Sequence, residues 1–180
     1  MYGMIHRGIR QMVIDSLGND RWEELEREIG FGPAEQISLA VYDDKMTWML
    51  LAAAAERLGY TVPECLRHFG RYWIDFAERG SHGSIMSFLG DDLGSFVSNL
   101  DRMHQAVVAA MPGARVPSFS VIEEGPGMLR IRYISERDGL EHFVIGLFHG
   151  VLERFAYRGE VKKLEDWGNA PQFLIIYETT

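Results

Sequence analysis

Residues Asp91–Ala110 read DDLGSFVSNLDRMHQAVVAA, and the spacing of their apolar members organises the reading of the whole chain. Leu93, Phe96, Val97, Leu100, Met103, Val107 and Val108 recur at helical intervals and define one buried face. His104 stands on that face, four residues after Leu100 and four before Val108. A ring nitrogen there needs a partner, which is either a core hydrogen bond or a metal ion. One imidazole from one helix suffices for haem iron, because the porphyrin supplies the other four nitrogens. The helix alone leaves both chemistries open.

Upstream, the pattern stays helical. Met1–Leu17 carries Met4, Ile5, Ile9, Met12 and Val13 on one side and ends at Gly18. A second helix from Asp20 turns Trp22, Leu25 and Ile29 inward before the break Gly30-Phe31-Gly32-Pro33. Asp43 or Asp44 caps a third helix to Leu58, packing through Met46, Met49, Leu50 and Ala53. A fourth, Glu64–Glu78, has an aromatic-rich face of Leu66, Phe69, Tyr72, Trp73 and Phe76, and a break follows at Arg79–Gly83.

Downstream of Met111 the chain turns extended, marked by Pro112, Gly113 and Pro117. Ser118–Glu124 and Met128–Ser135 flank Gly125-Pro126-Gly127 as a hairpin. Gly139–Phe155 returns to helix, burying Leu140, Phe143, Val144, Leu147 and Val151. Strands Glu160–Glu165 and Gln172–Glu178 complete an antiparallel sheet. The expected fold class is α+β, with a helical N-terminal half and a C-terminal sheet carrying one packed helix, in a single domain over residues 1–180.

A net charge of −8 without basic clusters argues against nucleic acid and against an anionic membrane surface as partners. No stretch of about eighteen apolar residues and no leader pattern is present, so a cytoplasmic protein is expected. The single cysteine, Cys65, excludes an intrachain disulfide, a Cys-rich zinc site and an iron–sulfur cluster, and reads as a core thiol. His6, His68, His82 and His149 lack metal-ligand spacing and read as surface or helix-edge residues.

In the second hairpin strand, Ile131, Tyr133, Ser135 and Arg137 share one face, while Arg130, Arg132, Ile134 and Glu136 take the other. The odd face begins apolar and so points inward. A phenol, a hydroxyl and a guanidinium gathered at its inner end suit an anion such as a cofactor carboxylate. The alternative is an internal pair of Arg137 with Glu123 or Asp138 and a core role for Tyr133. An iron ligand on a helix and a carboxylate clamp on a strand are together what a haem with propionates requires.

These residues resemble the H-NOX (haem nitric oxide/oxygen binding) family, which includes the sensor domain of soluble guanylate cyclase. The resemblance rests on the Met1-Tyr2-Gly3 start, on Asn99-Leu100-Asp101-Arg102-Met103-His104, and on Met111-Pro112-Gly113-Ala114-Arg115-Val116-Pro117. Above all, it rests on Tyr133-Ile134-Ser135-Glu136-Arg137, which fits the Tyr-x-Ser-x-Arg motif. It implies haem b enclosed between the helical half and the sheet. In that reading His104 ligates the iron, Tyr133, Ser135 and Arg137 hold the propionates, and Pro117 presses on the porphyrin.

The resemblance also implies that oxygen-binding members place a tyrosine on the helix after the strand. Counting back from Gly146 puts Phe143 there, and counting forward from Arg137 puts His142 there. Phe143 is favoured because it shares a face with Val144 and Leu147. With Ile5, Ile9, Trp73 and Leu147 it makes an apolar pocket, which gives oxygen no hydrogen bond and leaves nitric oxide and carbon monoxide as ligands. The expected function is a bacterial stand-alone nitric oxide sensor, not an enzyme. Weakening of the iron–His104 bond would signal to a histidine kinase or a cyclic-di-nucleotide enzyme. Alternatives are an oxygen sensor, or a haem enzyme of peroxidase or oxygenase type, which would need a distal acid–base pair involving His142.

Overall fold

The computed structural model describes residues 1–79, 86, 88–110, 114–164 and 170–179. Two compact units divide the chain, Met1–Phe69 and Gly70–Thr180. The expected break at 80–83, His82, the turn residues Met111–Gly113 and the strand end at Glu165 lie outside the described residues.

The first unit comprises α1 (Gly3–Leu17), α2 (Asn19–Ile29), a 3-10 turn (Pro33–Gln36), α3 (Asp44–Leu58) and the beginning of α4 (Val62–Arg79). Asp43 caps α3 by accepting the Lys45 N–H at 2.9 Å. Ile9, Met12 and Val13 of α1 are buried, as are Trp22, Leu25, Leu50, Leu51 and Cys65, whose thiol burial pushes up to about 11. Two expectations need correction. Met49 stands 44% exposed, on the solvent side of the turn whose inner side holds Leu50. His6 is fully buried: Nδ1 donates to the Glu35 carbonyl at 2.7 Å and Nε2 accepts from the Thr47 hydroxyl at 2.8 Å. It belongs to the inner face because His6, Ile9 and Val13 fall at helical spacing. Gly3 is needed for space, since a Cβ there would lie 2.1 Å from the Ile37 carbonyl oxygen.

The second unit holds the remainder of α4, α5 (Leu93–Ala110), β1 (Ser118–Gly125), β2 (Met128–Ile134), α6 (Glu141–Arg154), β3 (Tyr157–Lys163) and β4 (Gln172–Thr179). The strands form one antiparallel sheet in the order β1-β2-β4-β3, with an irregularity between Val121 and Glu123. Leu129, Ile131, Tyr133, Phe173 and Ile175 point inward and join Val144, Phe148 and Val151 of α6 in one core. Tyr157 extends β3 upstream of the expected start by stacking on Tyr177, with ring centroids 5.0 Å apart.

Burial on α5 fades along its length. Leu93, Phe96, Val97 and Leu100 are buried, Met103 and Val107 are half-buried, and Val108 is 41% exposed. The periodic face outruns the core that covers its first half. α4 and α6 meet with no side chain between them: a Cβ on Gly70 would lie 2.1 Å from the Phe143 carbonyl oxygen, and one on Gly150 would lie 2.7 Å from the Arg71 carbonyl oxygen. Among the described residues, no helix is long and apolar enough to cross a membrane.

Candidate functional site

His104 lies where the buried part of α5 gives way to its exposed end, and its ring is half-buried. Nδ1 is sealed from solvent and has no partner at full hydrogen-bond geometry. Burial holds the imidazole below its usual pKa, with the Pro117 backbone and then the Asp101 charge pulling the other way. The ring is therefore neutral near pH 7. A proton on Nδ1, facing the Pro117 backbone, leaves Nε2 with the lone pair that a metal requires. Pro117 is itself half-buried.

β2 brings the remaining polar groups to the same unit. Tyr133 is 4% exposed, and burial raises the pKa of its phenol, while a hydrogen bond with Ser135 opposes that shift. The phenol therefore keeps its proton and remains a donor. The Ser135 hydroxyl accepts the Arg137 backbone N–H at 3.0 Å, and Arg137 Nη1 donates to the Arg115 carbonyl at 2.7 Å. Ser135 and Arg137 are half-buried at the end of the inward face. Glu123, one of the acids considered as an internal partner for Arg137, instead faces Arg130 across the strands at 3.5 Å.

Phe119 belongs to this site as well, although the sequence pattern does not single it out. It sits opposite Tyr133 in register, with ring centroids 5.2 Å from Tyr133 and 6.1 Å from His104. The alternation of β1 marks it as inward but does not say which side chains it joins. Asp101 is the second omission: it accepts from the Ser118 hydroxyl and from the Phe119 N–H, both at 2.6 Å. Its partners are distant in sequence, and only the fold brings them to it.

The apolar candidates fall in two places. Phe143 and Leu147 occupy the side of α6 that runs against α4 at Gly70, and Trp73 stands on α4 with its ring 5.6 Å from Phe76. Trp73 and Phe143 are partly buried against the core of the second unit. Ile5, half-buried, and Ile9, buried, belong to α1 in the first unit. His142 is half-buried beside Phe143.

These residues fit a haem. A neutral imidazole with a sealed Nδ1 is the chemistry of an axial ligand, and a phenol, a hydroxyl and a guanidinium at one strand end are the chemistry of a carboxylate clamp.

Comparison with known proteins agrees. The Haem-NO-binding family model matches residues 2–163. Soluble guanylate cyclase gcy-32 of Caenorhabditis elegans is 30% identical over 157 residues, which are 86% of this chain and 23% of the relative. Soluble guanylate cyclase gcy-35 of the same organism is 28% identical over 92% of this chain and 25% of its own length. The chain thus spans about a quarter of the curated relatives it matches. A mutant H-NOX protein from S. oneidensis in the Fe(II) ligation state superposes with a TM-score of 0.85 at 21% identity, covering 99% of this chain and 97% of that one. An oxygen-binding H-NOX domain related to soluble guanylate cyclases, solved as its oxygen complex, gives 0.81 at 23% identity, covering 99% and 96%. At such identities the likeness to the solved structures is one of fold, and it is the family model, matching most of the chain, that makes this protein a member of the haem-NO-binding family: an H-NOX domain, a haem-based gas sensor related to soluble guanylate cyclase.

Proposed function

We propose that this H-NOX domain senses nitric oxide, works in the cytoplasm of a bacterium as a single sensor over residues 1–180, and passes its signal to a histidine kinase or a cyclic-di-nucleotide enzyme. Haem b would supply a ferrous iron able to bind a diatomic gas. His104 would hold the iron through its unprotonated nitrogen. Tyr133, Ser135 and Arg137 would hold the propionates with one neutral donor, one hydroxyl and one cation, and Pro117 would pack on the porphyrin. The chain contributes ligand binding and release of helix α5, and no chemical step of its own.

The observation that carries the gas preference is Phe143 at the seam with α4, where the side chain is a hydrocarbon. Leu147 on the same side of α6 likewise offers no hydrogen-bond donor, so oxygen gains nothing from it, while nitric oxide and carbon monoxide need no donor. The fading burial of α5 beyond Leu100 supports an output through that helix.

The test is an optical spectrum of the reduced, haem-loaded protein. It should stay unchanged in air and change on nitric oxide and on carbon monoxide. A spectrum that shifts reversibly in air would overturn the preference for nitric oxide. In Phe143→Tyr, a new phenolic donor worth about 1 kcal/mol should make the spectrum begin to respond to air.

A further inference from the structure

We infer that the outward face of the β1-β2-β4-β3 sheet is a self-association surface, whose occupant is a second copy of this chain. The helices of the second unit join the inward residues of the sheet in one core, and of the outward residues Met128, Arg130 and Leu174 are half-buried, Arg132, Glu160, Lys162 and Ile176 are exposed, and Gln172, which accepts from Arg130, is buried. At the centre of the outward face, Met128 pairs with Ile176 and Arg130 with Leu174 across β2 and β4. β3 adds Glu160 beside Ile176 and Lys162 beside Leu174. Ile176 is 50% exposed, a branched aliphatic in the middle of a sheet face with charges around it.

The order of these rows is self-complementary. A twofold axis lying across the strands, between the Leu174 and Ile176 rows, reverses strand direction and lays each strand over its counterpart in the second copy. Leu174 then meets Ile176 of the second copy, and Lys162 meets Glu160 of the second copy, with both contacts repeated by symmetry. Lys162 and Glu160 already pair within one chain at 2.9 Å, so the dimer gives each a second partner. Charge favours the same conclusion. The chain carries a net charge of −8, which opposes self-association over most of its surface. On this face the cations of β2 and β3 nearly balance the carboxylates between them, so two copies meet here without a like-charge penalty.

Size sets the strength. Four strands about 4.8 Å apart, each extending about 23 Å, offer roughly 450 Å² per copy, against about 800 Å² per partner in a standard stable interface. The dimer is therefore weak and concentration-dependent.

Sedimentation velocity on the full chain, from low to high micromolar, tests this. The mean mass should rise toward that of a dimer. Glu160→Lys and Lys162→Glu should each raise the dissociation constant about tenfold, and the double reversal should restore it to within about threefold. Ile176→Glu should abolish association. Circular dichroism and a thermal melt of each variant establish folding; if Ile176→Glu does not fold, the exposed charge reversals decide alone. A monomer at every concentration, or a double reversal no better than the single ones, overturns the proposal and leaves the face to a different protein.

Discussion

Asp101 accepts the backbone N–H of Phe119 at 2.6 Å, and the ring of Phe119 stands 6.1 Å from that of His104, so the carboxylate one turn before His104 anchors the strand residue that packs against it. The same carboxylate takes the Ser118 hydroxyl at 2.6 Å, which makes Asp101 the polar tie between α5 and β1. Asp101→Ala leaves the Phe119 N–H without its acceptor in a part-buried position. The expected cost is about 1–3 kcal/mol, with Asp101→Asn less affected because one acceptor remains. A denaturant titration at constant slope measures it, and equal midpoints for wild type and Asp101→Ala would show that the tie carries no stability.

Removing the imidazole should separate haem binding from folding. His104→Gly is expected to fold, because the ring is only half-buried, yet to lose haem on desalting and to recover it when imidazole is supplied. Haem-to-chain ratio by absorbance gives the answer. Full retention without imidazole would take His104 out of the ligand role.

Arg137 tests the clamp. Its guanidinium is held by the Arg115 carbonyl at 2.7 Å, so it is preorganised for an anion. Arg137→Ala should speed haem transfer to a competing apoprotein at least about tenfold, the scale of a charge-assisted hydrogen bond worth about 1.5–3 kcal/mol. The exposed Arg132→Ala serves as the control, and equal transfer rates in the two variants would remove Arg137 from the clamp.

His6 makes the fold acid-sensitive, and the sign follows from burial. Desolvation lowers its pKa from the ordinary value of 6.5, with the Glu35 carbonyl opposing. The N-terminal ammonium also lowers it, and the Glu35 charge raises it. The folded state thus prefers the neutral ring. Stability is complete above pH 6.5 and falls as the pH drops below it, because the unfolded chain binds a proton that the folded chain refuses; the loss levels off below the depressed folded pKa. His104 and His149 are depressed by burial as well and add to the same trend. His6→Gln should flatten the pH dependence of the unfolding free energy, taken from denaturant titrations, by up to about 1.4 kcal/mol per pH unit, the weight of one proton. An unchanged pH profile would contradict the assignment.

Much of this fold is legible in sequence because two periods dominate it. The 3.6 period finds α5 with His104 on its inner face, and the period of two sets Tyr133 inside and Arg132 outside. What escapes has identifiable causes. Periodicity says which face is apolar but not where the neighbour ends, so Val108 is over-assigned to the core. A histidine does not count toward an apolar pattern, so His6 is passed over although it lies on the same face as Ile9 and Val13. Phe119 and Asp101 act through partners that only strand register and helix packing bring near.

The glycine crossing of α4 and α6 decides which substitutions the seam tolerates. Backbone rests on backbone at Gly70 and Gly150, so a methyl group at either site has nowhere to go without parting the helices. The side chains flanking that seam, Phe143 and Trp73, are only partly buried and carry no such restriction. Either flanking side chain can therefore be exchanged for another of similar bulk at little cost to the frame, whereas at the two glycines even a methyl group forces the helices apart.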